Sequence, residues 1–384
     1  MPRSQLFSPV TVAGLDVRNR LWMPPMCMYS AAPTGEELGR PTAWHQVHYG
    51  ARAIGGVGAV VVEATGVVPE GRISVNCLSL HDDAQIPSFA AVADRIHAGG
   101  ARAFIQLNHA GRKGSSRAGW ETGWPTAEEG AWQVVAPSAI PFDASSPMPR
   151  ALSEGEIPAL VESFAEAARR AMEAGFDGVQ VHAAHGYLIH QFLSPASNRR
   201  SDRWGGDFAG RTRFAREVVR AIRARIGDAP LLVRISATDW TQEYPADGRP
   251  GWTLADTERL APLLAEDGAS MINVSTGGNV ADARVGGGVG YQVFAAAAVR
   301  RALSADGGAI GAAAPVPGSP RIPVSACGLI VSAQQAEQIL VDGSADVIEI
   351  GRVLLSDPMA PQAWASRLRA DAPVPDQYLR GTRR

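Results

Sequence analysis

The chain has 384 residues, of which 46% are hydrophobic and 19% are charged, and its formal net charge is -2. This composition supplies a large apolar core and argues against extended disorder. It also argues against a nucleic-acid binder, because such proteins carry an excess of basic residues that neutralises phosphates. The sequence shows no secretory signal pattern and no apolar run of the ~18 residues that a membrane span needs. We therefore expect a soluble protein of the cytoplasm.

The three cysteines, Cys27, Cys77 and Cys327, lie far apart in the sequence. Their spacing matches no zinc or iron–sulfur motif, and an odd number argues against a disulfide framework. The pattern predicts free thiols in a reducing compartment and no bound metal.

Eight short β-rich segments recur along the chain. They are predicted at 20–26, 58–64, 101–107, 176–184, 231–236, 271–275, 322–327 and 347–351. The stretches between them have helical patterns, and three of these begin at a hydroxyl residue suited to an N-cap, over 153–174, 253–267 and 332–341. Strands that alternate with helices pair in parallel. Eight such units predict an α/β protein with a single (β/α)₈ barrel, the TIM barrel, over residues 1–384.

Three segments depart from this repeat. Residues 114–132 carry Trp120, Trp124 and Trp132 and follow the third strand, where loops of a barrel form the mouth of the active site. Residues 306–320 form a Gly/Ala/Pro tract without periodicity, which predicts a linker-like insertion. Residues 371–384 are predicted to be a C-terminal tail.

The first strand ends in a proline- and methionine-rich run. Pro24 and Pro25 have no backbone N–H to donate, and Met26 offers a soft, adaptable wall, which suits a flat aromatic ligand. Cys27 follows at the mouth, where it is either a polarisable neighbour of such a ligand or a buried structural cysteine.

The fourth strand ends in His182 and His185, followed by Tyr187. Two imidazoles at a strand end can donate hydrogen bonds to a carbonyl or phenolate oxygen. The Tyr187 hydroxyl can then act as a general acid. Two alternatives stay open: a zinc site built on the His-x-x-His spacing, and histidines that only satisfy the core.

Other strand ends supply groups for an anion. Arg234 lies in the apolar fifth strand and needs a partner, either a structural carboxylate such as Glu63 or a negative charge that develops during a reaction. Gly328 and Gly351, with Arg352, end the seventh and eighth strands, where barrels commonly bind phosphate. No Rossmann, P-loop or serine-hydrolase motif is present in the sequence. The strand ends predict a phosphorylated flat cofactor with a small oxygenated substrate on it.

Four segments, 25–30, 109–113, 174–195 and 198–206, resemble the old yellow enzyme family of FMN-dependent ene-reductases, in particular its bacterial thermophilic-like branch. The resemblance covers nearly the whole chain, from about residue 6 to residue 381. It implies an FMN enzyme that uses NADPH or NADH to reduce the activated C=C bond of α,β-unsaturated carbonyl compounds. Hydride would pass through the flavin N5 in a ping-pong reaction.

The resemblance also implies roles for individual residues. Those implied to bind FMN are Pro24, Pro25, Met26, Cys27, Ala64, Gln106, Arg234, Gly328, Gly351 and Arg352. His182 and His185 would bind the substrate carbonyl oxygen, Tyr29 would line the pocket, Tyr187 would supply the proton and Cys27 would tune the flavin potential. Arg380 would reach the neighbouring subunit's site, which implies a homodimer or homotetramer.

Three alternatives to enone reduction remain at this stage. The same flavin site could reduce nitro groups or nitrate esters, as relatives do. A barrel of another class would use His182 and His185 as ligands of a metal-dependent hydrolase or lyase, and a sensor would bind FMN without turnover. The tryptophan-bearing insertion leaves the substrate range open, because it can roof the pocket.

Overall fold

Eight segments rich in apolar and β-branched residues form a closed barrel at the centre of the computed structural model, which describes residues 4–242, 248–304, 322–372 and 374–381. We number its strands β1 to β8 in chain order: Leu21–Met23, Ala59–Gly66, Arg102–Asn108, Gly178–Ala183, Leu231–Ser236, Met271–Ser275, Val324–Ala326 and Val347–Glu349. Each strand pairs in parallel with the next, and β8 closes the barrel on β1. The predicted barrel is confirmed.

Helices surround the barrel. They are α1 Ala43–Ile54, α2 Ile86–Ala98, α3 Ile157–Glu173, α4 Leu188–Leu193, α5 Phe208–Ile226, α6 Leu254–Glu266, α7 Val293–Ala302, α8 Ala333–Val341, α9 Arg352–Ser356 and α10 Ala360–Arg367. The predicted N-caps of α6 and α8 are confirmed, since the hydroxyls of Thr253 and Ser332 accept backbone N–H groups of the first helical turn. Helix α3 starts later than predicted, because Pro158 is tolerated only within the first turn.

Strand β1 differs most in length from its prediction, because it ends at Met23 and not at residue 26. Pro24 and Pro25 cannot donate to a strand ladder, so pairing stops before them. The run from Pro24 onward is therefore released from the sheet and lies across the carboxyl end of the barrel.

The amino end of the barrel is filled by side chains. Trp22 of β1 stacks on Phe104 of β3 with ring centroids 5.5 Å apart. An N-terminal hairpin, Val10–Val12 paired with Leu15–Val17, which the sequence analysis did not predict, packs on the same apolar cluster. Space for a ligand therefore lies at the carboxyl end, where the predicted functional residues are.

Outside the barrel, the insertion over 114–132 contains no regular helix or strand, and a two-residue pairing of Val135–Ala136 with Arg150–Ala151 follows it. The described part of the tail ends in the exposed 3₁₀ segment Asp376–Gly381. The predicted linker-like tract 306–320 lies outside the described residues. Within the described ranges, no helix is both long enough and apolar enough to cross a membrane.

Candidate active site

A cavity of about 320 Å³ opens at the carboxyl ends of β1 and of β4 to β8. Its volume is at the lower end of what small-molecule and cofactor sites occupy. The predicted cofactor residues that line it are Pro24, Pro25, Met26, Arg234, Gly328, Gly351 and Arg352, and His185 borders it as well. The barrel therefore brings together most of the groups predicted to hold a flat phosphorylated ligand.

Arg234 of β5 is 7% exposed and faces this cavity. Its Nη2 atom lies 3.9 Å from Oε2 of Glu349 and donates weakly to the Cys327 sulfur at 3.8 Å, while its Nε has no hydrogen-bond partner. The other carboxylate oxygen of Glu349 is already occupied by Asn273 and Ser325. The buried guanidinium is thus incompletely compensated, which suits a site for an anionic edge of a ligand.

The carboxylate partner suggested for Arg234 was wrong. Glu63 of β2 instead accepts hydrogen bonds from the Tyr49 hydroxyl at 3.1 Å and from the Met28 backbone N–H at 2.7 Å. Its Oε1 also lies 3.2 Å from Nε2 of His45. Glu63 therefore braces the run after β1 against α1.

Two glycines keep the backbone open on the other side of the cavity. Gly328 has φ +100°, and a Cβ there would lie 2.8 Å from Oε1 of Gln292. A Cβ on Gly351 would meet the Met26 sulfur at 3.1 Å. Backbone N–H groups that can be approached this closely, with the exposed guanidinium of Arg352 beside them, fit the predicted phosphate group of a cofactor.

His182, His185 and Tyr187 converge on one another, and of the three only His185 lines the cavity. The His182 ring lies 5.2 Å from the His185 ring and 4.8 Å from the Tyr187 ring, centroid to centroid, and is nearly perpendicular to the former. The chain turns sharply here, with φ +57° at His185 and +73° at Gly186. This turn after β4 brings the side chains of His185 and Tyr187 next to that of His182.

Both imidazoles are held neutral. Burial, reinforced by the charges of Arg234 and Lys113, lowers the pKa of His182 and of His185 well below the ordinary value. Nδ1 of His182 accepts the Ala184 backbone N–H at 3.3 Å, which assigns the ring proton to Nε2. Nε2 of His185 lies 2.7 Å from the Ser275 hydroxyl. His182 is thus a neutral hydrogen-bond donor, not an acid.

Tyr187 keeps its proton at neutral pH, because burial raises the pKa of its phenol well above the ordinary value. Tyr187, Tyr29 and Cys27 pack against a small buried cluster formed by Ala64, Ile73, Cys77 and Ala110. We call these seven residues the aromatic-thiol wall. Four predicted site residues, Cys27, Tyr29, Ala64 and Tyr187, lie in this wall and not among the residues that line the cavity.

Cys27 has a partner that the sequence did not reveal. Cys77 lies in the cluster against which Cys27 packs, and its thiol, together with burial, raises the pKa of Cys27 well above the ordinary value. Cys77 also contacts the Ser74 hydroxyl at 3.3 Å. Cys27 is therefore a neutral thiol in a pair rather than an isolated cysteine.

Two other predicted site residues lie apart from the cavity lining. Gln106 is buried and donates through Nε2 to Oε1 of Gln180 at 2.7 Å. Arg380 lies in the exposed segment Asp376–Gly381 and is not brought to the cavity of its own chain.

Sequence reasoning assigned no role to several residues that shape the site. Nζ of Lys113 donates to the carbonyl oxygens of His185 and Gly278, both at 2.8 Å, and lies 5.2 Å from the centre of the Tyr187 ring. Burial lowers the pKa of Lys113 to about 8. The conspicuous run His109-Ala110-Gly111-Arg112-Lys113 was a signal for it, whereas nothing local marked Ser275 or Gln292.

Behind the site, Asp239 is fully buried in a hydrogen-bonded network. Its carboxylate lies 3.0 Å from Nε2 of His190 and accepts from the Ser194 hydroxyl at 2.5 Å and the Trp252 backbone N–H at 2.9 Å. Nδ1 of His190 in turn accepts the Gly186 backbone N–H at 2.9 Å. The network thus anchors the turn that carries His185 and Tyr187.

We expect Asp239→Ala to lower the free energy of unfolding by about 3–5 kcal/mol, because it leaves buried partners of the carboxylate uncompensated. Burial raises the pKa of Asp239, but His190 and the hydrogen bonds of the network outweigh it and leave that pKa below the ordinary value. Its contribution is therefore present at neutral pH and lost as the pH falls through the lowered pKa. Denaturant titration at neutral and acidic pH measures both effects.

The control is Glu37→Ala, which removes the exposed partner of Arg40 and should change stability by less than about 1 kcal/mol. Equal losses in the two variants would contradict the role given to Asp239.

The family model described as the NADH:flavin oxidoreductase / NADH oxidase family matches residues 5–281 of this chain. The chain is 42% identical over 378 residues to an NADPH dehydrogenase of Geobacillus thermodenitrificans, covering 98% of each chain. It is 39% identical to an NADPH dehydrogenase of Bacillus subtilis, covering 98% of this chain and 99% of that one.

Among solved structures, morphinone reductase is similar with a TM-score of 0.75 and 27% identity, over 98% of this chain and 92% of that one. The complex of morphinone reductase with tetrahydroNAD has a TM-score of 0.73, also at 27% identity, over 98% of this chain and 93% of that one. The likeness in sequence and in structure therefore spans almost the entire chain.

Proposed function

We propose, from the premise that this chain belongs to the old yellow enzyme family of NADH:flavin oxidoreductases, that it reduces the activated C=C bond of α,β-unsaturated carbonyl compounds. The family assignment makes the chain an oxidoreductase with FMN as cofactor and NADPH or NADH as electron donor. When bound, FMN supplies the hydride chemistry that links the donor to the substrate.

The residues of the cavity fit this cofactor. Gly328, Gly351 and Arg352 would hold the phosphate, the run Pro24–Met26 would form the wall against the flat ring, and Arg234 would face its anionic edge. The unpartnered Nε of buried Arg234 is the feature that most directly calls for an anion. We also propose that Cys27, Ala64 and Gln106 contact the ring, and that the neutral Cys27 thiol tunes its potential.

The observation that carries the proposal is the neutral imidazole pair next to a protonated phenol. As hydride reaches the β-carbon of an enone, negative charge develops on the carbonyl oxygen. N–H donors of His182 and His185 would stabilise that charge, and they do so strongly because the site is buried. Tyr187 would then deliver its proton to the α-carbon.

A metal-dependent hydrolase built on His182 and His185 gains no support. Nδ1 of His182 already accepts a backbone N–H, and Nε2 of His185 contacts the Ser275 hydroxyl. Among the residues that the structure describes, no group of three or more His, Cys, Asp or Glu side chains is arranged to hold a metal ion. The family assignment also points to flavin chemistry instead.

We propose that the chain forms a homodimer, or a homotetramer built from two such dimers, in which Arg380 of one subunit reaches the neighbouring site. Support comes from the exposed tail, where Tyr378 and Leu379 present apolar surface that a second copy can cover. We further propose a cytoplasmic location, which the three free thiols support. Light scattering of the parent and of Arg380→Ala tests the assembly, and a monomeric parent would contradict it.

The enzymatic test is an anaerobic titration of the purified yellow protein. NADPH should bleach the flavin absorbance, and cyclohexenone should restore it with one equivalent of cyclohexanone formed. Restoration by a nitroarene but not by cyclohexenone would overturn the enone assignment in favour of nitro reduction. A yellow protein whose flavin absorbance NADPH does not bleach would contradict the proposal of an enzyme and would favour an FMN-binding sensor.

A further inference from the structure

The insertion over 114–132 carries a tryptophan, Trp120, whose ring contacts Tyr29 of the aromatic-thiol wall. Trp120 is 73% exposed, although its indole is the largest apolar side chain of the turn that holds it. It makes an edge-to-face contact with Tyr29, with ring centroids 5.3 Å apart at 87°. This contact places the exposed indole next to the aromatic-thiol wall.

Hydrogen bonds hold the backbone of the turn that carries Trp120. The Glu121 backbone N–H donates to the Ala118 carbonyl at 2.9 Å, and the Ala118 N–H donates to the Glu121 carboxylate at 3.0 Å. The Ser116 N–H donates to the Ile73 carbonyl at 3.0 Å, which ties the start of the insertion to the loop beside the aromatic-thiol wall. The backbone position of Trp120 is thus fixed before any ligand arrives, which lowers the entropy lost on binding.

Two pairs of aromatic rings, joined by the buried cluster of the aromatic-thiol wall, lie between Trp120 and the paired imidazoles. His182 contacts Tyr187, Tyr187 and Tyr29 pack on the same buried cluster, and Tyr29 contacts Trp120. A substrate whose carbonyl oxygen binds at His182 would therefore extend any bulky substituent along Tyr29 toward the indole. Flat π-faces and edges favour an aromatic substituent over an aliphatic one.

We propose that Trp120 is a specificity-determining residue that contacts an aromatic ring of the substrate, so that aryl-substituted α,β-unsaturated carbonyl compounds are preferred. This inference rests on the proposed function, since it assigns the far end of the substrate whose carbonyl His182 holds. The contact is made in the ground state and the transition state alike, so it acts on KM and not on kcat.

The test compares benzylideneacetone, which carries a phenyl ring, with cyclohexenone, which does not. In the holoenzyme, Trp120→Ala should raise KM for benzylideneacetone about 2- to 10-fold and leave its kcat and the kinetics of cyclohexenone unchanged. Trp120→Phe should retain most of the preference. The matched control is Trp44→Ala, which removes a 58% exposed indole on α1 and should change neither substrate.

Equal changes for the two substrates, or no change for either, would overturn the proposal, as would a loss of oligomerisation in Trp120→Ala on size exclusion. Binding of the saturated ketone benzylacetone, measured by calorimetry, separates this inference from the proposed function. Weaker binding of benzylacetone to Trp120→Ala than to the parent supports the aromatic contact even if the parent reduces no enone. Unchanged binding of benzylacetone counts against Trp120 even if enones are reduced.

Discussion

Replacement of His182 by alanine should lower kcat/KM for cyclohexenone by ~10²–10³-fold, the loss that follows removal of one donor to a developing oxyanion. The structure gives the reason, because the ring proton of His182 is assigned to Nε2 and the ring borders Tyr187 and His185. Steady-state kinetics with NADPH and cyclohexenone measures the effect. Reduction of the flavin by NADPH should be less affected, since no oxyanion forms in that step.

The control for His182 is His97→Ala, which removes a half-exposed histidine that pairs with Asp177 away from the cavity. It should leave the kinetics near the parent values. A His182→Ala enzyme that reduces cyclohexenone at the parent rate would end the assignment of the imidazole pair to the carbonyl oxygen.

The neutral state of the imidazoles also sets the pH dependence. Because burial lowers the pKa of His182 and His185 well below the ordinary value, both stay uncharged as the pH falls from about 8 to about 6. We therefore expect kcat for enone reduction to show no histidine titration in that range.

Tyr187→Phe should slow enone reduction by ~10²–10⁴-fold, the range that a positioned general acid contributes. The phenyl ring keeps its contact with His182, so the change removes the proton donor and little packing. Stopped-flow absorbance separates flavin reduction by NADPH, which should be unchanged, from reoxidation by cyclohexenone, which should be slow.

A quinone provides the control for this prediction, because its reduced product is protonated on oxygen and needs no proton at carbon. Reoxidation of the Tyr187→Phe enzyme by benzoquinone should therefore keep the parent rate. If benzoquinone and cyclohexenone slowed to the same extent, Tyr187 would be a structural residue and not the proton donor.

The barrel could be predicted because its signal is local. Each strand is a short apolar run bounded by turn residues, and the observed limits of β5 and β6 match the predicted ones. The error at β1 has an equally local cause, since Pro24 and Pro25 end its pairing. The turn that joins His185 to Tyr187 was likewise visible as a motif within a few residues.

Contacts between strands were harder to predict from the sequence, because they depend on which residue of one strand faces which residue of another. Glu349, not Glu63, lies near Arg234, and Cys77 lies against Cys27 although 50 positions separate them in the printed sequence. The position of Trp120 depends on the conformation of an insertion without periodic pattern. Such positions follow from tertiary packing, which no window of sequence encodes.

The filled amino end of the barrel has a consequence for the order of events. Trp22 and Phe104 close that end with stacked rings, so the cavity has its opening at the carboxyl side. If a nicotinamide and an unsaturated ketone both enter through this single opening, they bind one after the other, and the first must dissociate before the second can bind. Competition between the two at high concentration of either is then a property of the architecture itself.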